Sequence, residues 1–201
     1  MPRERTAGNA PGTPIYRLDT AGFSLQADGD GDLWLPDWPV FMVDWECAAA
    51  FARWQAWRTG LPWRLPDELE WEKAGRGTDG RAWPWGDHVD PSWAAMRESS
   101  PSHPSPWEIG AFPADESPYG VRDMAGGVID WTSTPFLPDG QTAADQRVDI
   151  TASAHSLTRV ARGGSFLSTR ASTRLGSRFG LPAATTSRFG YLGFRLGRSL
   201  G

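Results

Sequence analysis

Tyr119-Gly120-Val121-Arg122-Asp123-Met124-Ala125-Gly126-Gly127-Val128-Ile129-Asp130-Trp131 is the stretch whose reading decides the fold. Gly126 and Gly127 permit a tight bend that residues with a Cβ take less readily. Asp123 and Asp130 flank the bend, and the apolar run at 128–136 reads as a strand. Two later stretches mix apolar residues, glycine and a single arginine: Arg162-Gly163-Gly164-Ser165-Phe166 and Leu192-Gly193-Phe194-Arg195-Leu196. Residues 160–167 and 193–198 are the strands expected there.

Upstream the period changes. Asp44 is placed to cap a helix in which Cys47, Ala50, Phe51, Trp54 and Trp57 recur at helical spacing, and Gly60 ends it. That spacing puts Cys47 on the buried stripe, as a small core residue and not a nucleophile. Asp67 with Glu70 three positions on has the form of a capping box. It opens a second helix that closes around residues 75–77. The run Asp28-Gly29-Asp30-Gly31-Asp32 spaces its acids like a calcium loop. Leu33 stands where that loop needs glycine and Pro39 where it needs glutamate, so it reads as a solvated turn. Residues 137–158 read as a surface loop. Two early helices followed by short strands and long loops make an α+β outline.

Composition agrees. The 201 residues fit one domain, and 39 % hydrophobic content supports a core. Twenty-three Gly and 17 Pro imply many turns, and 12 Trp imply large rings filling a core that regular elements do not close. No apolar run approaches the roughly 20 residues of a membrane span, and no secretory signal is seen, so a cytoplasmic protein without membrane insertion is expected. One cysteine excludes an internal disulfide. The first 149 residues hold twelve basic against 24 acidic side chains, a charge of −12, and the remaining eight arginines give +8. A net charge of −4 with no recognition motif argues against nucleic acid.

Five stretches in order resemble the sulfatase-modifying-factor family, which carries the formylglycine-generating-enzyme fold. They are Arg64-Leu65-Pro66-Asp67-Glu68-Leu69-Glu70-Trp71-Glu72, Trp83-Pro84-Trp85-Gly86-Asp87, the 119–131 run and the two C-terminal runs. The resemblance covers about residues 38–198 and implies a C-type-lectin-like fold with short antiparallel strands. The family's opening Gly-Ser-Met-type strand is not visible. Residues 1–37 are therefore expected to be a loose, truncated start, and 38–201 the domain itself. The family includes copper-dependent oxidases, iron-dependent sulfoxide synthases, C-terminal domains of bacterial Ser/Thr kinases and variable binding proteins of diversity-generating retroelements. Residues 38–85 look most like the kinase-associated members.

The oxidases of the family use two thiolates, which fall on Thr173 and Arg178 here. Neither suits Cu(I), a soft ion, so no copper and no formylglycine chemistry are expected. The synthases use three histidines; His88, His103 and His155 stand in no such motif. The family's turn at 123–130 holds a structural Ca²⁺. The resemblance assigns it the side chains of Asp123 and Asp130 and the carbonyls of Gly126 and Val128. Gly127 replaces the usual Asn, and Asp130 a longer Glu. The expected function is a pseudoenzyme: a non-catalytic binding module, the sensory or substrate-binding part of a bacterial kinase. A retroelement variable protein and an oxidoreductase with altered chemistry are the alternatives. The expected ligand face is the polar, Arg- and aromatic-bearing segment 168–191: Ser168, Arg170, Ser172, Thr173, Arg174, Arg178, Phe179, Arg188, Phe189 and Tyr191. A peptide, a protein or a small anionic molecule would suit its charge. Arg162 and Arg195, inside apolar runs, are expected to be buried and paired.

Overall fold

The computed structural model describes residues 3–5, 11–27, 33–100, 102, 104–137, 158–183 and 190–199. The first helix, α1, runs Trp45–Thr59. Asp44 accepts the Cys47 N–H at 2.7 Å, and Gly60 ends the helix at φ 68°, donating to the Ala56 carbonyl at 2.9 Å.

The buried face of α1 is not the one its aromatic spacing predicts. Ala48, Ala49 and Ala52 face inward, Trp57 is 82 % exposed, and Cys47, Phe51 and Trp54 are exposed as well. The reason is close approach. Leu65, Ile129, Trp131, Ala161 and Leu192 already fill the space under the helix, and only methyl-sized side chains fit between. Two indoles fasten the helix start: Trp131 donates to the Val43 carbonyl at 3.0 Å, and Trp45 to the Thr132 carbonyl at 2.8 Å.

The second helix, α2, spans Glu68–Arg76. Its capping box forms as the sequence predicts. The Asp67 carboxylate accepts the N–H groups of Leu69 and Glu70 at 2.8 Å each, and Glu70 accepts the Asp67 N–H at 3.0 Å. Arg64, beside Glu70, holds that carboxyl below its usual range.

The main sheet has four strands: β6 (Ile129–Pro135), β7 (Thr158–Arg162), β8 (Arg178–Pro182) and β9 (Leu192–Phe194). Their spatial order is β8-β7-β6-β9. The first two junctions are antiparallel, with Asp130 opposite Arg162 and Ala161 opposite Phe179. β9 instead runs parallel to β6, with Asp130 opposite Gly193. β5 (Trp63–Arg64) and β10 (Gly197–Arg198) pair beside the sheet. The first 37 residues, expected to be loose, carry two more pairs, β1 (Arg3–Arg5) with β2 (Pro11–Pro14) and β3 (Tyr16–Asp19) with β4 (Gly22–Leu25). Asp19 closes the second hairpin by accepting the Ala21 N–H at 2.9 Å.

Irregular chain between α2 and β6 makes one satellite core and joins α2 and the stretch before β8 in another. One holds Trp83, Ala94, Met96 and Ala125, and the other Trp71, Met124 and Leu175. The Gly126-Gly127 bend rests on Ala95, whose carbonyl accepts the Gly127 N–H at 2.8 Å. Gly126 sits at φ 122°, and a Cβ there would lie 2.1 Å from the Ala95 oxygen. Neither backbone can move without breaking the bend. Gly126→Ala is therefore expected to destabilise the fold by about 2–4 kcal/mol, strain and overpacking together. Gly120→Ala, at φ 75° with nothing near its Cβ, should cost only about 1 kcal/mol. Denaturant unfolding of the two variants measures the contrast, and equal losses would contradict it.

Candidate ligand-binding site

The described residues of segment 168–191 are in good part tied into the fold. The Thr173 side chain is fully buried; its hydroxyl accepts the Trp83 indole N–H at 3.2 Å and donates to the Arg170 carbonyl at 3.0 Å. Arg178 grips Glu68 with two hydrogen bonds, Nε to Oε2 at 2.6 Å and Nη2 to Oε1 at 2.9 Å. Phe179 and Tyr191 pack on the main core. Arg170 and Arg174 are exposed, and the Arg174 guanidinium lies 5.3 Å from the Trp83 ring centroid. Ser168 and Ser172 are half-buried. Arg188 and Phe189 lie outside the described residues, as do His103 and His155. Thr173 is thus corrected from a ligand-facing to a core position, because the satellite core closes over it. Arg178 is corrected to an anchor, because the buried Glu68 carboxylate requires a partner.

Arg162 is buried as the sequence predicts. It pairs with Glu72, and Glu68 lies 3.8 Å away. Burial draws its pKa below the usual arginine value, with the charges of Glu72 and Glu68 opposing. Arg195 is paired too, but about a quarter of its side chain, 27 %, is exposed.

Arg195 also bears on the 123–130 turn. Its Nε donates to Asp130 Oδ2 at 2.5 Å and its Nη2 to the Asp123 carbonyl at 2.8 Å. The Trp71 indole donates to the same Asp130 oxygen at 2.9 Å. Asp123 Oδ2 accepts the Gly110 N–H at 2.8 Å. Calcium takes six to eight oxygens. As the side chains stand, Arg195 occupies Asp130 Oδ2 and the Asp123 carbonyl, and the Gly110 N–H takes Asp123 Oδ2, so Ca²⁺ would have to displace them to gain these oxygens. Among the described residues no group of three or more His, Cys, Asp or Glu is arranged to hold a metal.

The same acids line a cavity of about 380 Å³ that sequence reasoning missed. Val40, Trp107, Phe112, Val128 and Phe194 form its apolar walls, and Asp115, Asp123, Asp130 and Arg195 bring charge to it. Trp107 and Phe112 meet edge to face at 5.3 Å. Asp123 takes a left-handed φ of 58°, a conformation that Asp and Asn tolerate better than most residues, and this turns it toward the cavity lining. The walls come from four distant segments; Val128 and Phe194 belong to stretches read as strands, whereas 107–112 has no periodicity. Nothing in the sequence marks Trp107 and Phe112, whose spacing of five fits neither a helix nor a strand. Size, apolar walls and a few convergent polar groups are the ordinary attributes of a small-molecule site.

A family model described as the Sulfatase-modifying factor enzyme 1-like domain matches residues 17–200. The chain is 31 % identical over 181 residues to the mouse Inactive C-alpha-formylglycine-generating enzyme 2, covering 81 % of this chain and 50 % of that protein. The structure of PvdO from Pseudomonas aeruginosa superposes with a TM-score of 0.72 at 21 % identity, covering 93 % of this chain and 69 % of that one. Treponema denticola variable protein 1 does so with a TM-score of 0.66 at 23 % identity, covering 80 % and 70 %. The chain spans half or less of the length of the curated relatives it matches. No helix among the described residues is long and apolar enough to cross a membrane.

Asp115 is the most perturbed acid of the cavity. It is 2 % exposed, and its carboxyl accepts the N–H groups of Ala125 at 3.0 Å and Met124 at 3.3 Å. Burial pushes its pKa up to about 7; Asp123 adds to the rise, and the two N–H groups and Arg195 oppose it. A carboxyl with a raised pKa keeps its proton in the fold after the unfolded chain has released it. Stability is therefore lost as pH rises from about 4 to about 7. The slope for one such proton is about 1.4 kcal/mol per pH unit. Asp115→Asn should flatten the decline between pH 5 and 7, whatever it does to absolute stability. A slope unchanged by the substitution would place the titration elsewhere.

Proposed function

The chain belongs to the sulfatase-modifying-factor enzyme family, and from that premise we propose that it works as a ligand-binding member and not as the family's oxidase. One observation carries the reading. The residues at the resemblance's thiolate positions are both consumed by the fold, Thr173 as a buried hydroxyl with donor and acceptor used, Arg178 as a bidentate partner of Glu68. Neither is a soft ligand, and the Thr173 hydroxyl, buried and donating to the Arg170 carbonyl, is not free to act as a nucleophile. The relative named as inactive shares the fold over most of this chain, which agrees with such a loss.

What is left for function is the cavity beside the 123–130 turn. It has room for a small molecule, apolar walls, and a charged floor in which Arg195 is tied to Asp130 and the Asp123 carbonyl. The likeness of residues 38–85 to kinase-associated members supports a sensory setting, in which the occupant of this cavity is the signal. The exposed Arg170 and Arg174 remain a cationic face that would attract an anion, with Arg178 withdrawn from it.

Two measurements test the proposal. Incubation with Cu(I), oxygen and a Cys-containing sulfatase-type peptide should leave the peptide unchanged by mass spectrometry; turnover would overturn the non-catalytic reading. A fragment screen followed by NMR should concentrate chemical-shift changes on Trp107, Phe112, Val128 and Phe194. Changes confined to Arg170 and Arg174 would move the ligand site to that face.

A further inference from the structure

The charge around the cavity is not balanced. Asp115, Asp123 and Asp130 converge on one guanidinium, that of Arg195, whose charge all three stabilise against the cost of its burial. Arg122, the other basic residue of the lining, is more than half exposed, and its Nε is engaged by Glu116 at 2.6 Å. Glu108, also in the lining, adds a fourth acid at the rim. Asp123 and Asp130 against one locked cation, with Glu108 at the rim, leave the floor negative even where Asp115 keeps its proton. In a partly enclosed site with apolar walls that excess is poorly screened. Burial is the main cause that raises the pKa values of Asp115 and Asp123, and each has a neighbouring acid that adds to the rise. Above the floor stand the Trp107 and Phe112 rings, whose faces attract cations.

We propose that this cavity binds a small organic cation, an amine or guanidine carried on an apolar body. The inference rests on the ligand-binding reading above and names its ligand class. The ammonium would meet Asp123 and the carboxyls behind it, where it supplies the missing positive charge. The apolar body would lie against Val40, Trp107, Phe112 and Phe194. A carboxylate or phosphate would face the same acids with like charge, and a neutral analogue would leave the excess in place. A bare metal ion would satisfy the acids but leave the apolar walls unfilled.

The experiment uses the full chain and three probes of one shape: 2-phenylethylamine, 2-phenylethanol and 3-phenylpropionate, titrated calorimetrically at pH 8. The amine is expected to bind at least tenfold more tightly than the other two. Asp123→Asn, which keeps an acceptor for the Gly110 N–H and tolerates the left-handed φ, should lower amine affinity about tenfold. It should leave the alcohol's affinity unchanged. Equal binding of amine and alcohol, or tighter binding of the carboxylate, overturns the cation and leaves the ligand cavity standing. No binding of any probe, with no shift at Trp107 or Phe112, overturns the cavity reading itself. A thermal response to Ca²⁺ with none to the amine overturns the proposal in favour of a metal.

Discussion

The Glu68 carboxylate is the constraint on which the rest of the structure hangs. It is 2 % exposed, in the first turn of α2, and it sits within reach of three strands. Its backbone N–H donates to Thr134 of β6 at 2.9 Å, its carboxylate takes both hydrogen bonds of Arg178 from β8, and Arg162 of β7 lies beside it. One turn later Trp71 reaches Asp130, and through it Arg195. Two sets of polar contacts, joined by one turn of α2, thus tie β8 to the floor of the cavity. Buried pairs of this kind are not cheap sources of stability, because desolvation offsets most of the attraction. Their effect is orientation. They hold helix and sheet in one register, since breaking one partner strands a charge.

On the proposed reading, arginine stands at a position where the family's oxidases carry a thiolate, and its charge is answered by Glu68. Among the described residues of this segment, the solvent-facing arginines are Arg170 and Arg174.

Much of the fold was legible because local chemistry dictated it. Asp44, Gly60 and the Asp67–Glu70 box mark the helix ends by hydrogen bonds that depend on a few neighbouring residues. The strand expected at 128–136 is β6, and that expected at 160–167 overlaps β7. The inward face of α1 was not legible. Hydrophobicity favours Phe51, Trp54 and Trp57, whereas burial there is decided by the distance to the sheet, and only Ala48, Ala49 and Ala52 permit it. β8 was missed because its residues, Arg178 to Pro182, look like polar, turn-rich chain. The parallel entry of β9 depends on crossover, which period and caps do not encode. For the site the balance is poorer. Asp123 and Asp130 were singled out, but as ligands of an ion. Arg195, which answers them, lies 65 residues beyond Asp130 and was expected only to be paired with some carboxylate. Asp115, Trp107 and Phe112 come together only in three dimensions.

The central claim is that Glu68 couples α2 to the sheet through Arg178. A double-mutant cycle with Glu68→Gln and Arg178→Gln, read by denaturant unfolding, tests it most directly. Glu68→Gln alone should cost up to about 3 kcal/mol, because it leaves the part-buried Arg178 without its partner and weakens the charge answering Arg162, which keeps Glu72. The double variant should lose at least about 1 kcal/mol less than the two single losses combined, since residues in one network do not add. Losses that add to within about 0.5 kcal/mol would mean that the two side chains act independently, and would contradict the account.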